Sequence, residues 1–179
     1  MNKTRLIVLI GVLSALSLVL YFFEFPLTIF FPPYLKIDFS DVPALLGGIA
    51  AGPIAGAAIQ LIKNILHFFL ISKEPMASGE IGNFFAGIGL IIPVSIIIRR
   101  TMKNSFVAYF VGAITMNLLA NVMNYFVALP LYGVPKEARM PTILYTLIPF
   151  NLVKAVIISI VAALLFNRLK AVIVRNQEN

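Results

Sequence analysis

The chain has 179 residues, is 60% hydrophobic and only 12% charged, carries a net charge of +7 and contains no cysteine. A soluble domain is nearer half apolar and about a quarter charged, so this composition excludes an ordinary water-soluble fold. The missing cysteines exclude a disulfide framework, thiol catalysis and a Cys-based metal site.

The hydrophobicity comes in long runs. Leu6 to Phe23, Val42 to Ile62, Ile81 to Ile98 and Asn104 to Pro135 contain no Asp, Glu, Lys or Arg. A helix needs about 20 apolar residues to cross the hydrocarbon, so the chain is expected to be a multi-pass protein of the cell membrane. The start, MNKTRLIVLIGVLSALSLVL, is basic and then apolar, but no small-x-small cleavage site follows the apolar core. It predicts a retained first helix over 6–23. A Pro- and Phe-rich connection, EFPLTIFFPPYLKIDFSD, comes next. A second helix over 42–52 must stop or bend at Gly52-Pro53, and a third resumes over 54–72. SKEPMASGE is a polar turn, a fourth helix covers 81–98, and a fifth covers 105–129. PLYGVPKEARMPT has the composition of a loop, and the sixth helix covers 144–166. The expected architecture is therefore all-α: a six-transmembrane-helix bundle forming a single membrane domain, 1–179.

Basic residues orient it. Lys3 and Arg5, then Arg99, Arg100 and Lys103, then Arg168, Lys170 and Arg175 all fall on one side of a six-helix chain, offset only by Glu178. The other side carries Lys36, Lys73, Lys136 and Arg139 together with Asp38, Asp41, Glu74, Glu80 and Glu137. The positive-inside rule counts Lys and Arg and puts both termini in the cytoplasm. The net positive charge is thus a topology signal and does not point to nucleic acid.

Polar residues inside apolar segments mark the interior. Gln60, Lys63, Asn64 and His67 are spaced i, i+3, i+4, i+7, which is one helical face. Asn117, Asn121 and Asn124 form another face, Glu80 and Asn83 open the fourth helix, and Asn151 and Lys154 lie one turn apart in the sixth. A mid-span charge costs about 2.5–3.5 kcal/mol even on the lenient insertion scale, so a partner or a ligand must offset it. Interhelical amide hydrogen bonds are common and modest, about 0.6 kcal/mol on average, and suffice for Gln60, Asn64, Asn117 and His67. Lys63 is either a satisfied internal charge or snorkels. Lys154 sits deep between two uncharged stretches and is expected to contact a ligand or a gate.

Catalytic signatures are absent. There is no H-E-x-x-H, one histidine cannot make a histidine-rich metal site, and no G-x-x-x-x-G-K-[ST] is present. Amides and lysines suit a neutral, hydrogen-bonding solute, which favours a binding protein or transporter subunit and no enzyme.

The blocks YLKIDFSDVPALLGG, GEIGNFFAG, NYFVALPLYG and PFNLVKA, in this order from Leu6 to about Lys170, resemble those of the riboflavin-specific S component of energy-coupling factor transporters. The resemblance implies a six-helix substrate-binding subunit with riboflavin as bound substrate and no catalytic cofactor or metal. Its partners would be a transmembrane coupling protein of the EcfT type and two ATP-binding-cassette ATPases, which accounts for the missing phosphate loop. It implies Asn124, Asn151 and Lys154 at the polar edge of the flavin ring, with Glu80 and then Leu35, Lys36 and Asp38 towards the ribityl tail. In helix one the family's small-residue pattern, Ala-x-x-x-Ala, corresponds to Gly11 and Ala15, a spacing that lets helices approach closely. That pair is either a docking surface for the coupling protein or internal packing. Two other readings stay open: an S component for another vitamin, and a small membrane enzyme or assembly protein with structural polar residues.

Overall fold

The computed structural model describes the backbone of residues 2–72 and 75–178. Lys73 and Glu74 of the polar turn, and the side chains of Arg175 and Glu178, lie outside the described residues. Helix α1 spans Lys3–Tyr21, with the Asn2 side chain accepting from the Arg5 amide at 2.9 Å, a side-chain cap of the usual kind. Ser14, Ser17 and Tyr21 face inward, while Ile7, Val8, Val12, Leu16 and Val19 are exposed. Apolar residues on the outer face are what lipid requires.

The connection after α1 folds back as a two-stranded ribbon. Strand β1 (Phe25–Pro26) pairs antiparallel with β2 (Lys36–Ile37), and Phe25 stands opposite Ile37. Helix α2 spans Asp41–Ala51 and α3 spans Pro53–Leu70. They join at Gly52, whose φ of +113° is open to glycine, and Pro53 starts α3, a position where its missing N–H costs nothing. Arg99 donates to the Ile49 and Ala50 carbonyls at 2.9 and 2.8 Å, closing the end of α2. The break therefore falls at Gly52-Pro53, as its sequence predicts. Helix α4 spans Ser78–Thr101.

Helix α5 is α-helical over Phe106–Met123, widens to a π-helix over Asn124–Ala128 and ends at Leu129–Leu131. Helix α6 starts at Lys136, widens to a π-helix over Ile143–Leu147 and continues over Ile148–Glu178. The segment expected to be a loop before residue 144 is thus largely the first turns of α6. Lys, Glu, Ala and Arg are good helix formers, and they carry the helix past Pro141.

Both π segments end two residues before a proline. The Leu129 amide reaches back to the Asn124 carbonyl and the Ile148 amide to the Ile143 carbonyl, just ahead of Pro130 and Pro149. A proline ring inside a helix clashes with the carbonyl four residues back, and a widened turn relieves it.

Five helices, α1 and α3 to α6, are long and apolar enough to cross a membrane; α2, with 11 residues, is shorter. The core gathers on α2 and α4, where Leu45, Ile49, Leu90, Ile91 and Val94 are buried with Met116 of α5 and Ile158 of α6. Helices α4 and α5 meet backbone to backbone: a Cβ on Gly89 would lie 2.7 Å from the Met116 Cα.

Candidate functional site: a polar cavity at one end of the bundle

The ends of α1, α3 and α5, the starts of α4 and α6 and the ribbon surround a cavity of about 350 Å3. All seven residues expected to bind substrate line it: Leu35, Lys36, Asp38, Glu80, Asn124, Asn151 and Lys154. They come from four separate stretches of chain, and the two π segments bring three of them in. Asn124 opens the first π segment, and Asn151 and Lys154 follow the second within one and two turns.

Beneath the cavity lies a buried charge cluster. Lys154 Nζ donates to Asp38 Oδ2 at 3.1 Å and stands 3.4 Å from Asp41 Oδ2. Lys63 Nζ, fully buried, donates to Ser40 Oγ and to Asp41 Oδ1. Gln60 Nε2 donates to the same Asp41 oxygen at 3.0 Å and to the Asn83 carbonyl at 3.0 Å. The second Asp38 oxygen accepts from the Ser40 amide at 2.9 Å and from its hydroxyl. Two aspartates thus meet two lysines, so the cluster carries no net charge.

The two lysines are partnered in different ways. Lys63 is a satisfied internal charge. Lys154 is paired within the protein and also faces the cavity, so partner and ligand are not exclusive roles. The cluster also ties the ribbon to the bundle, because Asp38 immediately follows β2.

At the far wall His67 Nδ1 and Glu80 Oε1 are 2.7 Å apart, and the His67 ring stacks on Tyr21 with centroids 3.7 Å apart. The rim carries the Lys36–Glu24 ion pair, and Tyr34 lies against Tyr132. Several buried polar atoms of lining residues have no partner among the described residues: Glu80 Oε2, His67 Nε2, Ser78 Oγ and Asn151 Nδ2. An unmet buried group costs about 1–3 kcal/mol, and here acceptors and a donor are left around one cavity.

The face Gln60, Lys63, Asn64, His67 is buried as its spacing predicts. The face Asn117, Asn121, Asn124 is split: Asn124 lines the cavity, and the other two line a groove on the outside of α5. Gly11 and Ala15 lie on the exposed face of α1, and a Cβ on Gly11 would meet nothing within 4 Å. They are not internal packing. Asp41, Tyr21, Glu24 and Tyr132 escaped sequence reasoning. Asp41 had a signal, as the lone acid opening an apolar helix; the aromatic residues had none.

A family model described as "ECF transporter, substrate-specific component" matches residues 5–166. The chain belongs to the substrate-specific components of ECF transporters. Among similar components, "Riboflavin transporter RibU" of Staphylococcus aureus (strain TCH60) is 36% identical over 94% of this chain and 92% of its own length. "Riboflavin transporter FmnP" of Bacillus subtilis (strain 168) is 33% identical over 94% and 93%. A solved structure described as "Structure and mechanism of the S component of a bacterial ECF transporter" superposes with a TM-score of 0.79 at 35% identity, covering 94% of this chain and 96% of that one.

Proposed function

We propose that this substrate-specific component binds riboflavin in the polar cavity and delivers it to the cytoplasm together with a transmembrane coupling protein and two ATP-binding-cassette ATPases. The observation that carries the reading is the convergence on one cavity of seven residues from four stretches of chain, beside buried donors and acceptors without partners. The relatives named as riboflavin transporters support the choice of ligand.

The chemistry fits. Riboflavin is uncharged near neutral pH, and every lysine on the cavity wall already has a carboxylate partner. Its ring has an apolar dimethylbenzene end, suited to Leu129, Leu147 and Phe150. Its other edge alternates acceptors with a donor. Asparagine offers both donor and acceptor, so Asn124 and Asn151 match that edge, and Lys154 keeps N–H groups beyond the one given to Asp38. Glu80 Oε2 is an acceptor for a ribityl hydroxyl. A volume near 350 Å3 falls within the range of about 300–1,000 Å3 common for small-ligand sites.

Quenching of riboflavin fluorescence by the purified protein tests the reading directly. Asn151→Leu is expected to weaken binding by about tenfold or more, the equivalent of one good hydrogen bond to a polar edge. Absence of flavin quenching by the wild-type protein would reject it. We place the cavity on the outer side and both termini inside, on the basic residues alone. Because the chain has no cysteine, a Lys103→Cys variant should react with an impermeant thiol reagent only from the cytoplasmic side.

A further inference from the structure

A second concavity, of about 520 Å3, runs along the outside of α5 and α6. Ile114, Leu118, Val122 and Phe126 form one wall, and Ile143 and Leu152 stand on the other. The two asparagines in it present nothing polar. Asn117 Nδ2 donates back to the Ala113 carbonyl at 3.2 Å and Asn121 Nδ2 to the Asn117 carbonyl at 2.8 Å, while Asn121 Oδ1 is sealed from the surface.

A charged residue lies just beyond one end of the groove. Tyr125 and Met140 line it there, and the guanidinium of Arg139 lies 6.0 Å from the centre of the Tyr125 ring. Arg139 donates to the Val134 carbonyl at 3.1 Å and to the Tyr125 carbonyl at 3.5 Å. Its Nη2 is left over, and among the described residues it has no carboxylate partner. Lys136 and Glu137, at the start of the same helix, are both exposed, so Arg139 leaves this end with a net charge of +1.

We propose that this groove binds one anionic phospholipid of the cavity-side leaflet, with an acyl chain along α5 and α6 and its phosphate on Arg139. Length supports it. From Ile114 to Tyr125 an α-helix rises about 16 Å at roughly 1.5 Å per residue, close to half of the roughly 30 Å hydrocarbon core and so the depth of one leaflet. Wall chemistry supports it as well. A partner helix packs best on small residues that let backbones approach, whereas these walls are branched and aromatic. A flexible chain fills the space between such side chains. Charge complementarity sets the headgroup: an arginine fork matches a phosphate, and a basic residue at the membrane surface favours an anionic lipid.

Native mass spectrometry of the full chain in mild detergent, with phosphatidylglycerol or phosphatidylcholine added at equal concentration, tests this. The wild type should retain phosphatidylglycerol about fivefold better, the effect of one basic residue at an anionic surface. Arg139→Gln should bring the two lipids level, and Arg139→Lys should restore much of the preference. Leu118→Trp, on an exposed wall position, should reduce retention of both while circular dichroism stays unchanged. Equal retention of the two lipids by the wild type overturns the proposal. So does a preference that survives Arg139→Gln, or a dimer of the chain that Leu118→Trp abolishes.

Discussion

Lys154 stands between Asp38, at 3.1 Å, and Asp41, at 3.4 Å, with its side chain buried. Replacing it by Met removes the donor proposed for the ligand and also leaves Asp38 as a buried carboxylate without its cation. Breaking a buried pair from one side costs about 3–5 kcal/mol, so Lys154→Met should lower the melting temperature of the purified protein and weaken riboflavin binding by about 10- to 100-fold. Adding Asp38→Asn removes the stranded charge. The double variant should recover much of the melting temperature and none of the affinity. Recovery of both together would make Lys154 a purely structural residue; recovery of neither would place its main partner at Asp41. A mid-span lysine is legible in the sequence because its cost is so large that something must meet it. Its partner was not legible: Asp38 lies 116 positions away and reads locally as one more charge in an extramembrane connection.

At the level of elements, the helices follow from apolar runs and from Gly52-Pro53, and the misjudged stretch is the one where composition and geometry part. Pro130, Pro135 and Pro141 suggest a loop, yet only Tyr132 to Pro135 lies outside a helix. The π segments before Pro130 and Pro149 had a sequence signal in an apolar residue followed by proline inside a helical run; Asn124 opens the first, and Asn151 follows the second by about one turn. Single π turns often sit at functional sites, and here each lies just ahead of a proline. The glycines give a direct test of how closely the elements pack. A Cβ on Gly89 would lie 2.7 Å from the Met116 Cα and 2.8 Å from the Thr115 carbonyl, both backbone atoms that cannot rotate away. Gly89→Ala should therefore cost about 1–3 kcal/mol, the usual range for overpacking, read as a lower melting temperature. Gly11→Ala, with nothing within 4 Å, should be neutral or gain up to about 1 kcal/mol of helix propensity. Equal losses at the two positions would rule out a tight α4–α5 seam.

For the whole molecule the question is how the proposed transporter drives a subunit whose sequence lacks the G-x-x-x-x-G-K-[ST] phosphate loop. The ribbon that borders the cavity is tied to α6 by Asp38 and Lys154 and across its own base by Lys36 and Glu24. In the proposed assembly energy enters through a lipid-facing surface where the coupling protein's backbone can approach. Along α1 the large exposed residues Ile7, Val8, Val12, Leu16 and Val19 leave a low strip at Gly11 and Ala15, and small residues at this spacing permit close helix contact. Because both face outward, Gly11→Leu with Ala15→Leu adds bulk without touching the core or the cavity. The double variant should keep its melting temperature and its riboflavin affinity. It should fail to co-purify with the coupling module and fail to drive uptake into vesicles holding ATP. Loss of stability and binding together would contradict the outward placement of this strip. Full ATP-driven uptake would move the docking surface elsewhere on the bundle.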